Sequence, residues 1–570
     1  MIQEIFKKIS LTEDCIILDD DAIRQIGSIM NYKNVIQVNT EISLKKGVNE
    51  LVLYVGIPDH SITLPKIFIK SESYKDLKFL PHINKDLSIC IFDDELNHIY
   101  QESALPDIVE EMIHKAKKII ALYDQPEIQI VEFEREFKAY WEISYEKNDL
   151  VNGIGLSIII DDSLPYKGYH FKNLLNGFKY LIYQECETFD KFKMYLNDRN
   201  FNYSEVEVFE IEWYDKKPPF NLSFSDSTKY IKESDLKRFK QTINKNGLQS
   251  CVIFFKNLKE EYFGWFYNQT IPPLSKLNRN LRRQISSWEI LNSLTFSNSL
   301  VERISFSQFT PERLEKRTSG LALEKYKSIC LIGLGSVGSN LLNFLIKLPI
   351  KKYHLIDSDF LKLENIYRHL CGFDKIGFSK VEAAKETIIN KDPFCEVLLD
   401  SSSIIDVLNK NISLLDGYDL NIVVIGNTMT EKYILEHLIQ TGCNKSLIMI
   451  WVEPYLASGQ MMFICPNDFS KAKETILNFP YNVLNNSFIS RVYLKEGSCQ
   501  TGFFPYSEAN LTLFLSAIYP YIFRLIEQDK YESSKVMSWI GNIEFIKEQG
   551  LVLSEFGISN KSFELIINEL

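Results

Sequence analysis

Residues 328–357 read SICLIGLGSVGSNLLNFLIKLPIKKYHLID. The apolar run from Ser328 to Ile332 reads as a buried strand, the stretch from Asn340 to Leu348 as a helix, and Tyr353 to Asp357 as the next strand. Between the first strand and the helix stand Gly333, Gly335 and Gly338. The first permits a tight turn, the second lets the backbone approach a phosphate, and the third allows close helix packing. The helix N-terminus adds unpaired N–H groups and a partial positive charge. Asp357 ends the second strand, where a carboxylate can accept ribose hydroxyls. The apolar runs LNIVVIG (420–426) and LIMIWVE (447–453) read as further buried parallel strands, so the C-terminal part is α/β with a nucleotide site.

The residues that follow choose the nucleotide. The run LIDSDFLKLENIYRHL (355–370), followed by GFSK (377–380), resembles the ThiF-type activating enzymes, the superfamily of the ubiquitin-activating enzymes. These carry Asp-x-Asp after the strand, then Asn-x-x-Arg, then Gly-x-x-Lys, matched here by Asp357, Asp359, Asn365, Arg368, Gly377 and Lys380. The resemblance implies that Asp357 holds the ribose of ATP and that Asn365, Arg368 and Lys380 contact its phosphates. Cations at that place suit adenylation, in which charge shifts as pyrophosphate leaves. Hydride transfer needs none, which separates this reading from an NAD-dependent oxidoreductase. Two positions depart from the family: Ser336 stands where a second glycine is usual, and Asn427, in IGNT, stands nearest the magnesium-binding Asp. A neutral oxygen holds Mg²⁺ less well than a carboxylate, so Asn427 and Asp359 both remain candidates for the metal.

Ubiquitin-type activation passes the acyl group from an adenylate to a cysteine, and two thiols qualify. Cys499 lies in GSCQTGFFPYSEANL (497–511), which, like WVEPY (451–455) before it, resembles the crossover-loop region of bacterial activating enzymes. Its glycines and polar neighbours predict an exposed loop; an incidental loop thiol is the alternative. Cys90 lies in FLPHINKDLSICIFD (79–93), which resembles the active-site segment of ubiquitin-conjugating enzymes, where a His-Pro-Asn turn precedes the cysteine. The resemblance implies that Cys90 is the second nucleophile, with His82 and Asn84 in the turn and Asn84 donating to an oxyanion. The unit His82-Ile83-Asn84 lacks the central proline and starts two residues closer to the cysteine. A buried strand cysteine is the alternative here.

Around these motifs the chain reads as three domains. Residues 1–125 alternate as strands and then give a helix, with Leu105, Ile108, Met112, Ile113, Ala116, Ile119 and Ile120 at three- and four-residue steps, an α+β arrangement. Residues 126–300 carry no motif tied to chemistry and read as a linker domain, and residues 301–570 form the ThiF-type domain. At 570 residues, 45% hydrophobic and 24% charged, the composition is globular. A net charge of −11 argues against a nucleic-acid partner. The ten cysteines include no CxxC pair, there is no unbroken apolar run of eighteen residues, and the N-terminus lacks a signal-peptide pattern. A cytoplasmic protein without a membrane partner is expected.

The combination resembles the bacterial fused conjugating–activating enzymes, some of which occur in antiphage operons built around cyclic-oligonucleotide synthases. The resemblance implies ATP and Mg²⁺ as cofactors and a homodimer. It implies as substrate a protein activated at its C-terminus, a ubiquitin-like protein or such a synthase. The acyl group would pass from Cys499 to Cys90 and then to a target amine. Alternatives are a sulfur-carrier adenylyltransferase without conjugation and a scaffold that only binds nucleotide.

Overall fold

The computed structural model describes residues 2–26, 29–45, 47–59, 63–70, 79–84, 86–92, 101–142, 153–161, 163–219, 221–247, 250–267, 287–291, 297–319, 327–348, 350–485, 494–495, 502–528 and 533–570. Two compact units emerge. The first comprises Met1–Gln184 and Phe201–Gln308, the second Glu185–Asn200 and Phe309–Leu570.

The first unit begins with α1 (Ile2–Ile9), β1 (Asp14–Ile17), α2 (Asp20–Gln25), β2 (Asn34–Leu44), β3 (Gly47–Ile57), β4 (Lys66–Ile69) and α3 (Leu105–Ala121). The strands pair antiparallel in the order β1-β2-β3-β4. Strand residues alternate between faces. Ile36, Val38, Leu51, Leu53 and Val55 therefore share a core with Ile5 and Ile9 of α1 and with Val109, Met112, Ala116 and Ile120 of α3. Val35, Tyr54 and Phe68 instead pack against Ile23 of α2. α3 starts with a proline in its first turn, where the missing N–H has no intrahelical partner to lose.

α4 (Pro126–Arg135) and α5 (Phe137–Glu142) lead into a closed barrel of β5 (Gly153–Ile158), β6 (Lys167–Leu175), β7 (Phe178–Tyr183), β8 (Tyr203–Glu210), β9 (Cys251–Lys256), β10 (Tyr262–Phe266) and β11 (Glu302–Gln308). Its strand order is β10-β11-β5-β7-β6-β8-β9. Phe137 and Trp141 of α5 join its aromatic core beside Phe255, Phe263 and Trp265, and Trp141 Nε1 donates to the Ile304 carbonyl at 3.1 Å.

The second unit holds α6 (Glu187–Asp198), whose Phe192 packs on Phe309 and Phe394. Its main sheet contains β12 (Lys327–Ile332), β13 (Ile350–Ile356), β14 (Glu396–Asp400), β15 (Leu420–Val423), β16 (Leu447–Val452) and β17 (Ser458–Ile464). Two short strands, β18 (Leu494–Lys495) and β19 (Gly502–Phe503), pair with each other, and β20 (Lys535–Ile540) and β21 (Leu565–Glu569) complete the sheet. The order is β14-β13-β12-β15-β16-β17-β20-β21, parallel through β16 and antiparallel beyond it. The parallel half is doubly wound, and its order reverses between β12 and β15, the switch point where such sheets take ligands.

Among the described residues, one helix, Glu508–Gln528, is long and apolar enough by composition to cross a membrane. Leu511, Phe514, Leu515, Ile518, Ile522 and Ile526 are instead buried in the sheet's core with Met461 and Met537. Asn510, Thr512 and Ser516 interrupt its apolar run.

Candidate functional site

The glycine turn at the C-terminal end of β12 is sterically specified. Gly333 has φ +95°, and a Cβ there would lie 2.4 Å from the Val424 carbonyl oxygen. At Gly338, the third residue of the helix Ser336–Leu345, a Cβ would lie 2.0 Å from the Gly333 oxygen. At Gly335 nothing lies within 4 Å, so the turn is open on that side to an approaching group.

Asp357 follows β13 and braces this turn. Its Oδ2 accepts the Leu334 N–H at 2.6 Å and its Oδ1 the Asp359 N–H at 2.8 Å. Lys380 opens the helix Lys380–Lys391, and its side chain is only 8% exposed. The ammonium lies 2.7 Å from Asp359 Oδ2 and 3.9 Å from Asp357 Oδ1. A cation this well buried is stable because carboxylates face it. The structure thus brings Asp357, Asp359 and Lys380 together beside the glycine turn.

Arg368 ends the short helix Leu363–Arg368, with its guanidinium 5.7 Å from the Tyr506 ring centre. Its carbonyl receives the Asn340 amide at 3.1 Å, which ties this segment to the glycine-turn helix. Asn365 serves the same short helix: its Oδ1 accepts the Lys362 N–H at 2.9 Å. Asn427 caps the helix Thr428–Thr441, its Oδ1 accepting from Thr430 N at 3.0 Å and from Thr430 Oγ1 at 3.1 Å. The two candidate metal residues are thus both engaged, Asp359 by Lys380 and Asn427 by its own helix. Among the described residues no cluster of three or more His, Cys, Asp or Glu is arranged for a metal ion.

Two supporting residues escape the sequence reading. His369 Nδ1 accepts the Cys371 N–H at 3.0 Å, so Nε2 carries the proton and donates to the Leu334 carbonyl at 2.9 Å. Burial holds its pKa below the usual value, in keeping with that neutral tautomer. Glu431 is buried behind the loop that follows β15, and Oε1 accepts the Gly426 N–H at 3.1 Å. Burial pushes its carboxyl up to about 7. His369 follows Arg368 directly, and Glu431 is four residues past Asn427 in a first helical turn, the one weak signal for it.

In the first unit, residues 82–84 and 86–90 meet in a turn docked on β4. Ile89 N–H donates to Ile67 O at 2.8 Å, and Ile83 bridges Ile89. His82 (φ 64°) and Leu87 (φ 65°) both occupy the left-handed region. Cys90 is exposed, and its N–H donates to the His82 carbonyl at 2.8 Å. Asn84 is exposed too, and its Nδ2 donates to Ser88 Oγ at 3.0 Å, closing the turn upon itself. Cys499 lies outside the described residues.

Residues 315–480 match the ThiF family, and residues 19–151 match prokaryotic E2 family B. Ubiquitin-like modifier-activating enzyme 5 of Aedes aegypti is 29% identical over 161 residues, 25% of this chain and 38% of that protein. Its counterpart from Caenorhabditis elegans is 33% identical over 156 residues, 25% of this chain and 35% of that protein. The chain thus spans roughly two fifths of the length of these curated relatives. Among solved structures, the E. coli tRNA N6-threonylcarbamoyladenosine dehydratase TcdA aligns at TM-score 0.28 and 19% identity, over 38% of this chain and 93% of that one. The chain carries a prokaryotic E2-like domain ahead of an E1-like ThiF domain in a mixed α/β multidomain architecture.

Proposed function

We propose that the protein adenylates the C-terminal carboxylate of a ubiquitin-like protein, passes the acyl group through thioesters on Cys499 and then Cys90, and conjugates it to a target amine. The observation that supports this best is the Lys380 ammonium, buried against Asp357 and Asp359 beside a glycine turn left open at Gly335. ATP fits the open glycine turn and would supply the adenylyl group, with Mg²⁺ screening its charge. Asp357 would hold the ribose, Lys380, Arg368 and Asn365 the phosphates, and Asp359 or Asn427 the cation. Lys380 would exchange a carboxylate partner for phosphate oxygens, so its charge is held in place before the ligand arrives. Thiolates attack well near neutral pH and leave well when an amine arrives, and two thioesters in series conserve the activation energy.

In the finer reading the substrate is a ubiquitin-like protein or a cyclic-oligonucleotide synthase, the setting is antiphage defence, and the enzyme works in the cytoplasm as a homodimer. Phe360, Leu363, Tyr367 and Phe373, all more than half exposed along the segment after Asp359, support an interface there. Sedimentation of the full chain tests this: a monomer at micromolar concentration would remove the homodimer.

The central test follows exchange of labelled pyrophosphate into ATP and thioester loading with the protein substrate. Cys499→Ala should still exchange but load neither thiol. Cys90→Ala should carry a reductant-sensitive adduct on Cys499 and form no stable conjugate. Conjugates built by Cys90→Ala at the normal rate would sink the reading.

A further inference from the structure

Side chains from α4, α5 and the residue between them brace the Cys90 turn from outside, in a stretch whose sequence carries no motif. Glu132, Glu136 and Tyr140 recur every fourth residue, so the α4–α5 segment presents them as one stripe. That stripe meets the turn at His82. The Tyr140 hydroxyl accepts the His82 N–H at 2.5 Å and donates to Glu136 Oε2 at 3.1 Å. Glu132 Oε2 lies 3.3 Å from His82 Nε2, and Glu136 Oε1 lies 3.7 Å from Nδ1. The Tyr140 ring is buried, edge-on to Phe133 at 4.7 Å and to Phe79 at 6.3 Å.

The backbone explains why such a clamp is needed. A non-glycine residue in the left-handed region costs on the order of 1–3 kcal/mol and persists only where its surroundings enforce it. His82 is such a residue, fixed on one side by Tyr140 through its N–H and on the other by Cys90 through its carbonyl. One peptide turn therefore joins a buried phenol to the backbone of the exposed thiol. Burial above all raises the Tyr140 pKa, and the Glu136 carboxylate beside it adds to the rise, so the hydroxyl is neutral.

We propose that Tyr140 is a positioning residue of the Cys90 centre: its hydroxyl holds the left-handed His82 turn and through it aligns the Cys90 thioester for attack by an amine. This rests on the conjugating role proposed above. In that step the amine nitrogen bonds to the acyl carbon, the C–S bond breaks with its electron pair passing to the Cys90 sulfur, and the amine's proton goes to water. Tyr140 gains and loses no proton.

The experiment uses the full chain, with Cys90 acylated by a peptide thioester of mercaptoethanesulfonate and discharged onto free lysine in single turnovers. Tyr140→Phe should acylate normally but discharge about tenfold more slowly at saturating lysine, with the half-saturating lysine concentration unchanged. In hydrogen exchange the Cys90 amide should open at least threefold faster, while the β12–β16 amides keep their rates. Glu136→Ala, at a side chain 43% exposed, removes the hydroxyl's acceptor without opening the core and should slow discharge similarly. Glu136→Gln keeps an acceptor oxygen and should stay within about twofold of wild type. Wild-type discharge in Tyr140→Phe, or an equal loss in Glu136→Gln, overturns the proposal. A wild-type thioester that never discharges to lysine overturns the conjugating role instead, and the Tyr140 proposal with it.

Discussion

The glycine turn after β12 and the Cys90 turn beside β4 differ in what fixes their backbones. The first is set by the missing Cβ atoms of Gly333 and Gly338, packed against the backbone of neighbouring residues. The second places ordinary side chains, His82 and Leu87, in the left-handed region and is braced by hydrogen bonds. A turn written in glycine is visible in a short stretch of sequence. A turn written in hydrogen bonds depends on residues far along the chain, for Tyr140 lies 58 positions from His82.

The largest effect that sharpens this contrast is on the nucleotide side. Lys380→Ala should lower ATP–pyrophosphate exchange thirty- to a thousandfold, about 2–4 kcal/mol of charge-assisted binding. Exchange at the wild-type rate would place the phosphates elsewhere. Gly333→Ala probes the backbone itself. A methyl 2.4 Å from a carbonyl oxygen at φ +95° should destabilise the second unit by about 2–3 kcal/mol and abolish ATP binding, read by melting and by calorimetry. An unchanged melt would mean that the turn tolerates a Cβ, and the contrast would collapse.

The same contrast explains how much of the molecule is legible in its sequence. β12, β15, β16 and the end of β13 read directly because parallel strands covered on both faces are rich in apolar residues, and Asp357, Asp359 and Lys380 fall close along the chain. The barrel does not read, since its closure pairs distant segments: β5 lies beside β11, and Trp141 reaches Ile304 across 163 residues. The α4–α5 stripe fails for a similar reason, because E-x-x-x-E-x-x-x-Y is ordinary helix chemistry until His82 is placed against it. Asn365 and Asn427 show a further limit. Asn365 matches a motif position and Asn427 stands nearest one, but their side-chain oxygens serve local caps that spacing does not reveal.

Smaller effects refine the picture at the loop after β15. Burial raises the Glu431 carboxyl from 4.5 to about 7, so the folded protein binds a proton there that the unfolded chain has released. That contribution is complete below pH 4.5 and is lost as pH rises through 7. Glu431→Gln keeps the oxygen that receives Gly426 N–H and removes the titration. Relative to wild type it should gain about 2 kcal/mol in stability between pH 5 and pH 8. Equal pH dependence in denaturant melts of the two proteins would show that the carboxyl is not the cause. Smallest of all, Asn427→Asp should lower the Mg²⁺ concentration for half-maximal exchange a few-fold, since a carboxylate binds a hard cation better than an amide. An unchanged requirement would point to Asp359 or another residue as the ligand.

The path of α6 has a covalent consequence. Because the chain leaves the first unit after Gln184, returns at Phe201 and leaves again after Gln308, three peptide links connect the two units. A protease that nicks one of them leaves both halves joined, and complete separation takes three cuts. A fragment ending at residue 308 would carry α6 away from Phe309 and Phe394, exposing Phe192 on the severed piece and a matching apolar face on the remainder.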